Sequence, residues 1–417
     1  MQQAYLKRDK LRLAQLLPAA HGHVLEPWAA YWELRARLGE ATSDEVQAFL
    51  ARWAGTYQED RLRNDWLLLL GQRRDWGNFA ALHPAFRMGD DREVQCYAGV
   101  VDLLSGGKAD DIARTVKANW YAQRDYEDGC NYAAGELFTA GKLSESDVWR
   151  RARIAAEAGR LRAARAAVEI VAPVQLPALK DVLNGPARYL TKAKLQGKVQ
   201  QELATLALVR VAADNPDGAA TLMSARWAEL LPAEQRDWVW GVIGKEQALK
   251  LSSDALAAYA RVAKDSRLSD DMLAWKVRAA LRAGNWQAVR KSIEAMSDEA
   301  RADSTWIYWR AKALQQGKVD AFVINNVSAA AFANQSQKGP RPAMVLEEPL
   351  YVQPVVIGMT KGETALIKEV NTILHKLEDS GYMDQHWNKW FGDASDYKLK
   401  RPYKVTPIKD VKFEPLP

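Results

Sequence analysis

Few residues of this chain are placed to do chemistry. Its five histidines are His21, His23, His83, His375 and His386, and only the first two, in "HGH", stand close together. A metal ion needs three or four ligands at workable spacing, so no metal and no cofactor is expected. The stretch "SGGKADD", Ser105 to Asp111, lacks the glycine spacing and the Ser/Thr of a phosphate-binding loop. The two cysteines, Cys96 and Cys130, fit neither a zinc ribbon nor a Cys-x-x-Cys redox site. They suit one disulfide or two buried thiols. Six arginines, Arg150, Arg151, Arg153, Arg160, Arg162 and Arg165, crowd "WRRARIAAEAGRLRAARAA". Solvated helix faces are the plain reading, and a stripe that attracts an anionic polymer is the sharper one. Fourteen of the sixteen tryptophans precede Gly317. Aromatic faces stack on sugars, but at helical spacing among apolar residues these are expected mainly to fill space between helices.

The elements that carry these residues are helices. "NDWLLLLGQRRDW", "RARIAAEAGRLRAARAAVEI" and "AWKVRAALRAGNWQAVRKSIEAM" each read as an apolar, Ala-rich helix, a Gly, a polar turn and a second helix. Gly71, Gly159 and Gly284 are expected as left-handed C-caps, since glycine has no Cβ to clash there. "AALRAG" at Ala279–Gly284 recurs as "KALQQG" at Lys312–Gly317, close to the period of tetratricopeptide-like hairpins. The pattern predicts a mainly α fold, an irregular α-superhelix of stacked helical hairpins over 1–316.

After Gly317 the pattern changes. "VDAFVINN" and "EPLYVQPVVIGMT" are β-branched and aromatic runs bounded by Asn, Gly and Pro, as strands are. "ETALIKEVNTILHKLEDSG" and "MDQHWNKWFG" read as helices. A small α/β segment is therefore expected over 317–417, with the join between Ala313 and Lys318.

At 417 residues, two or three domains are expected. The net charge of +6 is shared unevenly, with 13 Lys/Arg against 12 Asp/Glu after Gly317. A mild basic bias with interleaved acids favours a polyanion such as cell wall over nucleic acid, which calls for a denser patch. No apolar run approaches the ~20 residues that span a bilayer. The N-terminal stretch lacks the apolar block of a secretory signal.

The first part resembles the soluble lytic murein transglycosylases of Gram-negative bacteria. The residues that carry this are "HVLEPWAAYWELRARL", "YQEDRLRNDWLLLLGQRRDW", "REVQCYAGV", "DGCNYAA" and "STWIYWRAKAL". The resemblance implies an α-superhelical ring of hairpins, a disulfide between Cys96 and Cys130, and hence the periplasm. In that family a glutamic acid within a Glu-Ser motif protonates the glycosidic oxygen, which requires a carboxyl raised in pKa by an apolar site. The Gly-Leu-Met-Gln and Ala-Tyr-Asn-Ala-Gly segments that follow it there do not occur in this sequence. The one Glu-Ser pair, Glu145-Ser146, lies where Ser144 and Asp147 look like a helix N-cap box. No catalytic residue is therefore assigned, and the catalytic domain is expected to be absent.

The last hundred residues are similar to the C-terminal part of amino-acid-type periplasmic solute-binding proteins. By that resemblance Asn325 stands where an Asp commonly pairs with the ligand's α-ammonium, a contact an amide makes without compensating charge. Leu366, Val370, Ile373 and Leu377 would form a helix face lacking the lobe it normally covers. The expected function is association with peptidoglycan, without cleavage. An amino-acid-binding transporter component and a helical-repeat scaffold for protein partners are the alternatives.

Overall fold

The computed structural model describes residues 1–315, 324–337, 342–346, 357, 363–395, 397–401 and 404–406. Among these residues the chain is mainly α, and no strand occurs. It forms two compact units, Met1–Lys250 with Ala257–Ala263, and Leu251–Leu256 with Lys264–Pro417.

In the first unit the helices that matter are α1 (Glu26–Ala36), α2 (Tyr57–Arg73), α3 (Trp76–Leu82), α4 (Arg92–Leu104), α5 (Ala109–Ala122) and α6 (Asp128–Thr139). They are followed by α7 (Glu145–Glu157), α8 (Leu161–Val171), α9 (Leu176–Asn184), α10 (Pro186–Lys192), α11 (Lys198–Asp214) and α12 (Ala233–Leu249). Many of them pack on the next helix and on the next but one. Thus α2 meets α3 and α4, α4 meets α5 and α6, and α9 meets α10 and α11. One hairpin cannot bury its own apolar face, so each is covered by its neighbour along the chain. Alanine makes the tightest of these joins. Ala152, Ala155 and Ala156 of α7 and Ala163, Ala164, Ala166 and Ala167 of α8 are all buried, and their small side chains let the two axes approach.

Tryptophan fills the wider gaps, as the pattern led us to expect. Of the fourteen before Gly317, seven are buried and none is fully exposed. Each fully buried large apolar side chain contributes roughly 1.5–3 kcal/mol.

The glycines divide. Gly159 and Gly284 have φ of 69° and 65°, the left-handed conformation expected of them. Gly71 does not cap a helix, because α2 runs on to Arg73 and the left-handed residue is Arg74, with φ 59°. The reason is tertiary: the ring of Tyr97 occupies the space a β-carbon at 71 would need.

In the second unit α13 (Asp270–Arg282) packs on α14 (Trp286–Glu294), and α14 on α15 (Ser304–Gln315). Then come α16 (Asn326–Ser336), α17 (Thr364–Asp379) and α18 (Tyr382–Trp390). The last two pack together, and Arg401 ties them by pairing with Glu378 of α17 and Asp384 of α18. Helix α17 buries none of its residues, but of the expected apolar face only Leu366 and Ile373 are exposed, while Val370 and Leu377 are half-buried. The expected strands, Val319 to Asn325 and Pro349 to Met359, lie outside the described residues except for Ile324, Asn325 and Ile357, none of which is in a strand; Asn325 instead caps α16. Of the expected join between Ala313 and Lys318, helix α15 covers the part up to Gln315 and the remainder lies outside the described residues.

Candidate functional site

A disulfide joins Cys96 of α4 to Cys130 of α6, both fully buried, with Cα atoms 4.9 Å apart. Its neighbours in sequence form a polar clamp. The Tyr97 hydroxyl donates to Asp128 Oδ2 at 2.6 Å, and Arg74 donates to both oxygens of Asp128 at 2.6 and 3.2 Å. Arg74 also donates to the Gly71 carbonyl at 2.8 Å and lies 3.8 Å from the ring centroid of Tyr132, on which Trp76 stacks. Burial pushes the Asp128 carboxyl up, but the bonds from Arg74 and Tyr97 outweigh it and hold the group below its usual range. Burial, then the hydrogen bond to Asp128, pushes the Tyr97 phenol up.

One turn before Tyr97, Glu93 accepts from the Gly129 N–H at 3.0 Å. Its carboxyl is raised, chiefly by burial, with Glu127 and Asp91 adding repulsion that the Gly129 bond partly offsets. Such a clamp anchors the end of α2 to α6.

The arginine stretch is divided by the fold. Arg151 and Arg153 are 2% and 0% exposed, so they are core residues and not part of a solvated face. Arg151 donates to the carbonyls of Gln123 and Asp125 at 2.9 and 3.2 Å, capping the C-terminal end of α5, where a cation is favoured. Burial lowers its pKa to about 10. Arg153 donates to Glu234 at 2.6 Å, and its Nε lies 3.8 Å from a carboxylate oxygen of Glu202. Burial raises the Glu202 carboxyl against the opposing pull of Arg153. The partners of Arg151 lie 26 and 28 residues before it and those of Arg153 some fifty to eighty residues after it, which is why the local pattern could not show the burial. Arg160 pairs with Asp125 at 3.3 Å and Arg162 covers the ring of Tyr126 at 4.5 Å, while Arg165 is exposed.

The last three of these arginines open a longer basic run. Between Gly159 and Gln201 are eight Lys or Arg and two acids, Glu169 and Asp181. Counting charge over long segments conceals it, and a window of some forty residues would have found it. Lys180, Arg188, Lys192, Lys194 and Lys198 are all exposed.

The remaining sequence candidates occupy structural positions. Glu145 is exposed at the first position of α7, where Ser144 and Asp147 form a capping box. That is not the apolar site a general acid needs. Asn325 is the N-cap of α16, its side-chain oxygen accepting from the Ser328 N–H at 2.9 Å. His21 faces Glu26 at 3.1 Å. Among the described residues no group of three or more His, Cys, Asp or Glu is placed to hold a metal, and no helix is long and apolar enough to cross a membrane.

No family model matches the chain. Among curated proteins it is similar to the soluble lytic murein transglycosylase of Escherichia coli K12, with 23% identity over 333 residues, 75% of this chain and 49% of the relative. The soluble lytic murein transglycosylase of Salmonella typhimurium is 23% identical over 340 residues, 77% of this chain and 50% of the relative. The chain therefore spans about half the length of the curated relatives it matches. Among solved structures, an inactive mutant of the lytic transglycosylase Slt from Pseudomonas aeruginosa aligns at 24% identity with a TM-score of 0.46, covering 79% of this chain and 55% of that one. The 70 kDa soluble lytic transglycosylase of Escherichia coli aligns at 19% identity with a TM-score of 0.41, over 80% of this chain and 54% of that one.

Proposed function

We propose that this chain is a periplasmic peptidoglycan-associated protein whose α-helical part holds murein without cleaving it. The observation that carries the reading is the similarity of three-quarters of the chain to proteins named for their action on murein. The disulfide agrees with an oxidising compartment, and the exposed cations suit a polymer that bears carboxylates. Non-cleavage is argued from Glu145. It is exposed and placed in a helix-capping turn, not in the enclosed apolar site that a general acid of this kind needs.

The test is co-sedimentation of the purified chain with murein sacculi, with soluble anhydro-muropeptides measured in the supernatant. Binding without release is expected. Failure to sediment with sacculi would overturn the association. Release of muropeptides that is lost in Glu145→Gln would overturn the non-cleaving half.

A further inference from the structure

The geometry points to the exposed basic face of α9, α10 and the start of α11 as the surface that engages the free carboxylates of murein peptide stems. It rests on the peptidoglycan reading above and locates the contact within it. The excess of six positive charges between Gly159 and Gln201 equals the net charge of the whole chain, +6. The rest of the chain therefore carries no net charge, and the excess of positive charge lies in this one stretch. Helix α9 packs on both α10 and α11, and α10 on α11, so Lys180, Arg188, Lys192 and Lys198 belong to three mutually packed helices, with Lys194 in the connection between the last two. Arg188 and Lys192 share one side of α10 by their four-residue spacing. Among the described residues none of the five has a carboxylate partner, whereas Lys10 pairs with Glu40, Lys117 with Asp147 and Lys142 with Asp110.

The residue types narrow the partner. Four of the five are lysines. A hydrated ammonium on a flexible stem suits scattered monovalent carboxylates, while planar bidentate recognition of phosphate favours arginine. Single-stranded nucleic acid would require aromatic platforms between the cations, and these elements offer only the half-buried Tyr189. A lipid surface would require an apolar face alongside the charge. Val174, in the turn before α9, is the one exposed large apolar side chain among the described residues from Leu161 to Lys198.

The test compares the full chain with a variant carrying Lys180→Gln, Lys192→Gln, Lys194→Gln and Lys198→Gln, using sacculi at roughly 50 mM salt, where screening is weak. A charge-matched control removes Lys7, Lys108, Lys291 and Lys368 in the same way, and thermal unfolding checks that both variants fold. Sacculus binding is expected to weaken about tenfold in the first variant, the loss expected of four exposed ion pairs, and less than about twofold in the control. Sacculi with amidated carboxyl groups should fail to retain the unmodified chain. Equal binding by both variants would overturn the assignment while leaving the peptidoglycan reading in place. Absence of sacculus binding by the unmodified chain would remove both. Binding to anionic phospholipid vesicles, lost in the first variant while sacculus binding persists, would assign this face to a membrane and overturn the proposal.

Discussion

The ring of Tyr97 lies over the backbone of Gly71, so close that a β-carbon at 71 would stand 2.3 Å from its Cδ2. Tyr97 is itself held by Asp128 and is fully buried, so it cannot swing aside without breaking that bond. Gly129 admits the same helix on α6, where a β-carbon would meet the Glu93 carbonyl at 2.8 Å. Two missing side chains thus let α4 approach both α2 and α6. Gly71→Ala should cost about 1–3 kcal/mol of stability by overpacking, although alanine is the better helix former by about 1 kcal/mol. Thermal unfolding should show a midpoint lowered by several degrees. An unchanged midpoint would mean that the ring has another place to go.

The Cys96–Cys130 bond closes a loop with a sequence separation of 34. A bond of this span stabilises by about 3–4 kcal/mol when unstrained. Titration of the unfolded, unreduced protein from an oxidising compartment should detect no free thiol, and the double substitution to serine should melt at a clearly lower temperature. Two free thiols would contradict the bond.

Glu93 provides a pH signature. Its folded pKa is raised, chiefly by burial, so the stability it contributes is fully present below the unfolded value and is lost as pH rises through the folded one. Glu93→Gln keeps an oxygen for the Gly129 N–H while removing the charge. The stability difference between the two proteins should therefore shift in favour of Gln as pH rises from about 4 toward neutrality. A difference independent of pH would show that the carboxyl does not titrate abnormally.

Asn325 has its amide oxygen engaged as a helix cap. Asn325→Ala should destabilise α16 by about 1 kcal/mol, and Asn325→Asp should be nearly neutral because aspartate caps equally well. Calorimetry with the common amino acids should give no heat for any of the three proteins. A saturable signal would restore the solute-binding reading of the C-terminal segment.

Helix type, hairpin order, the Ser144–Asp147 capping box and the packing role of tryptophan were legible in the sequence because each depends on spacing along one or two helices. The amphipathic pattern of α17 was legible for the same reason, although only Leu366 and Ile373 of its apolar face are exposed. The candidate site was legible only in part. Cys96 and Cys130 were visible as residues, with the pairing implied by family resemblance. The clamp of Arg74, Tyr97 and Asp128 was not, since its members lie on three different segments.

By itself the sequence determined which segments are helical, how many apolar faces need covering, and that the positive charge accumulates between Gly159 and Gln201. Tertiary structure alone decided that Gly71 sits inside a helix, that Arg74 takes the left-handed turn, and that Arg151 and Arg153 are buried while Arg165 is not. The physical reason is the range of the interactions. Helical periodicity and capping act within a few residues. The burial of a guanidinium depends on whether distant carbonyls and carboxylates, here those of Gln123, Asp125, Glu202 and Glu234, are brought to meet it.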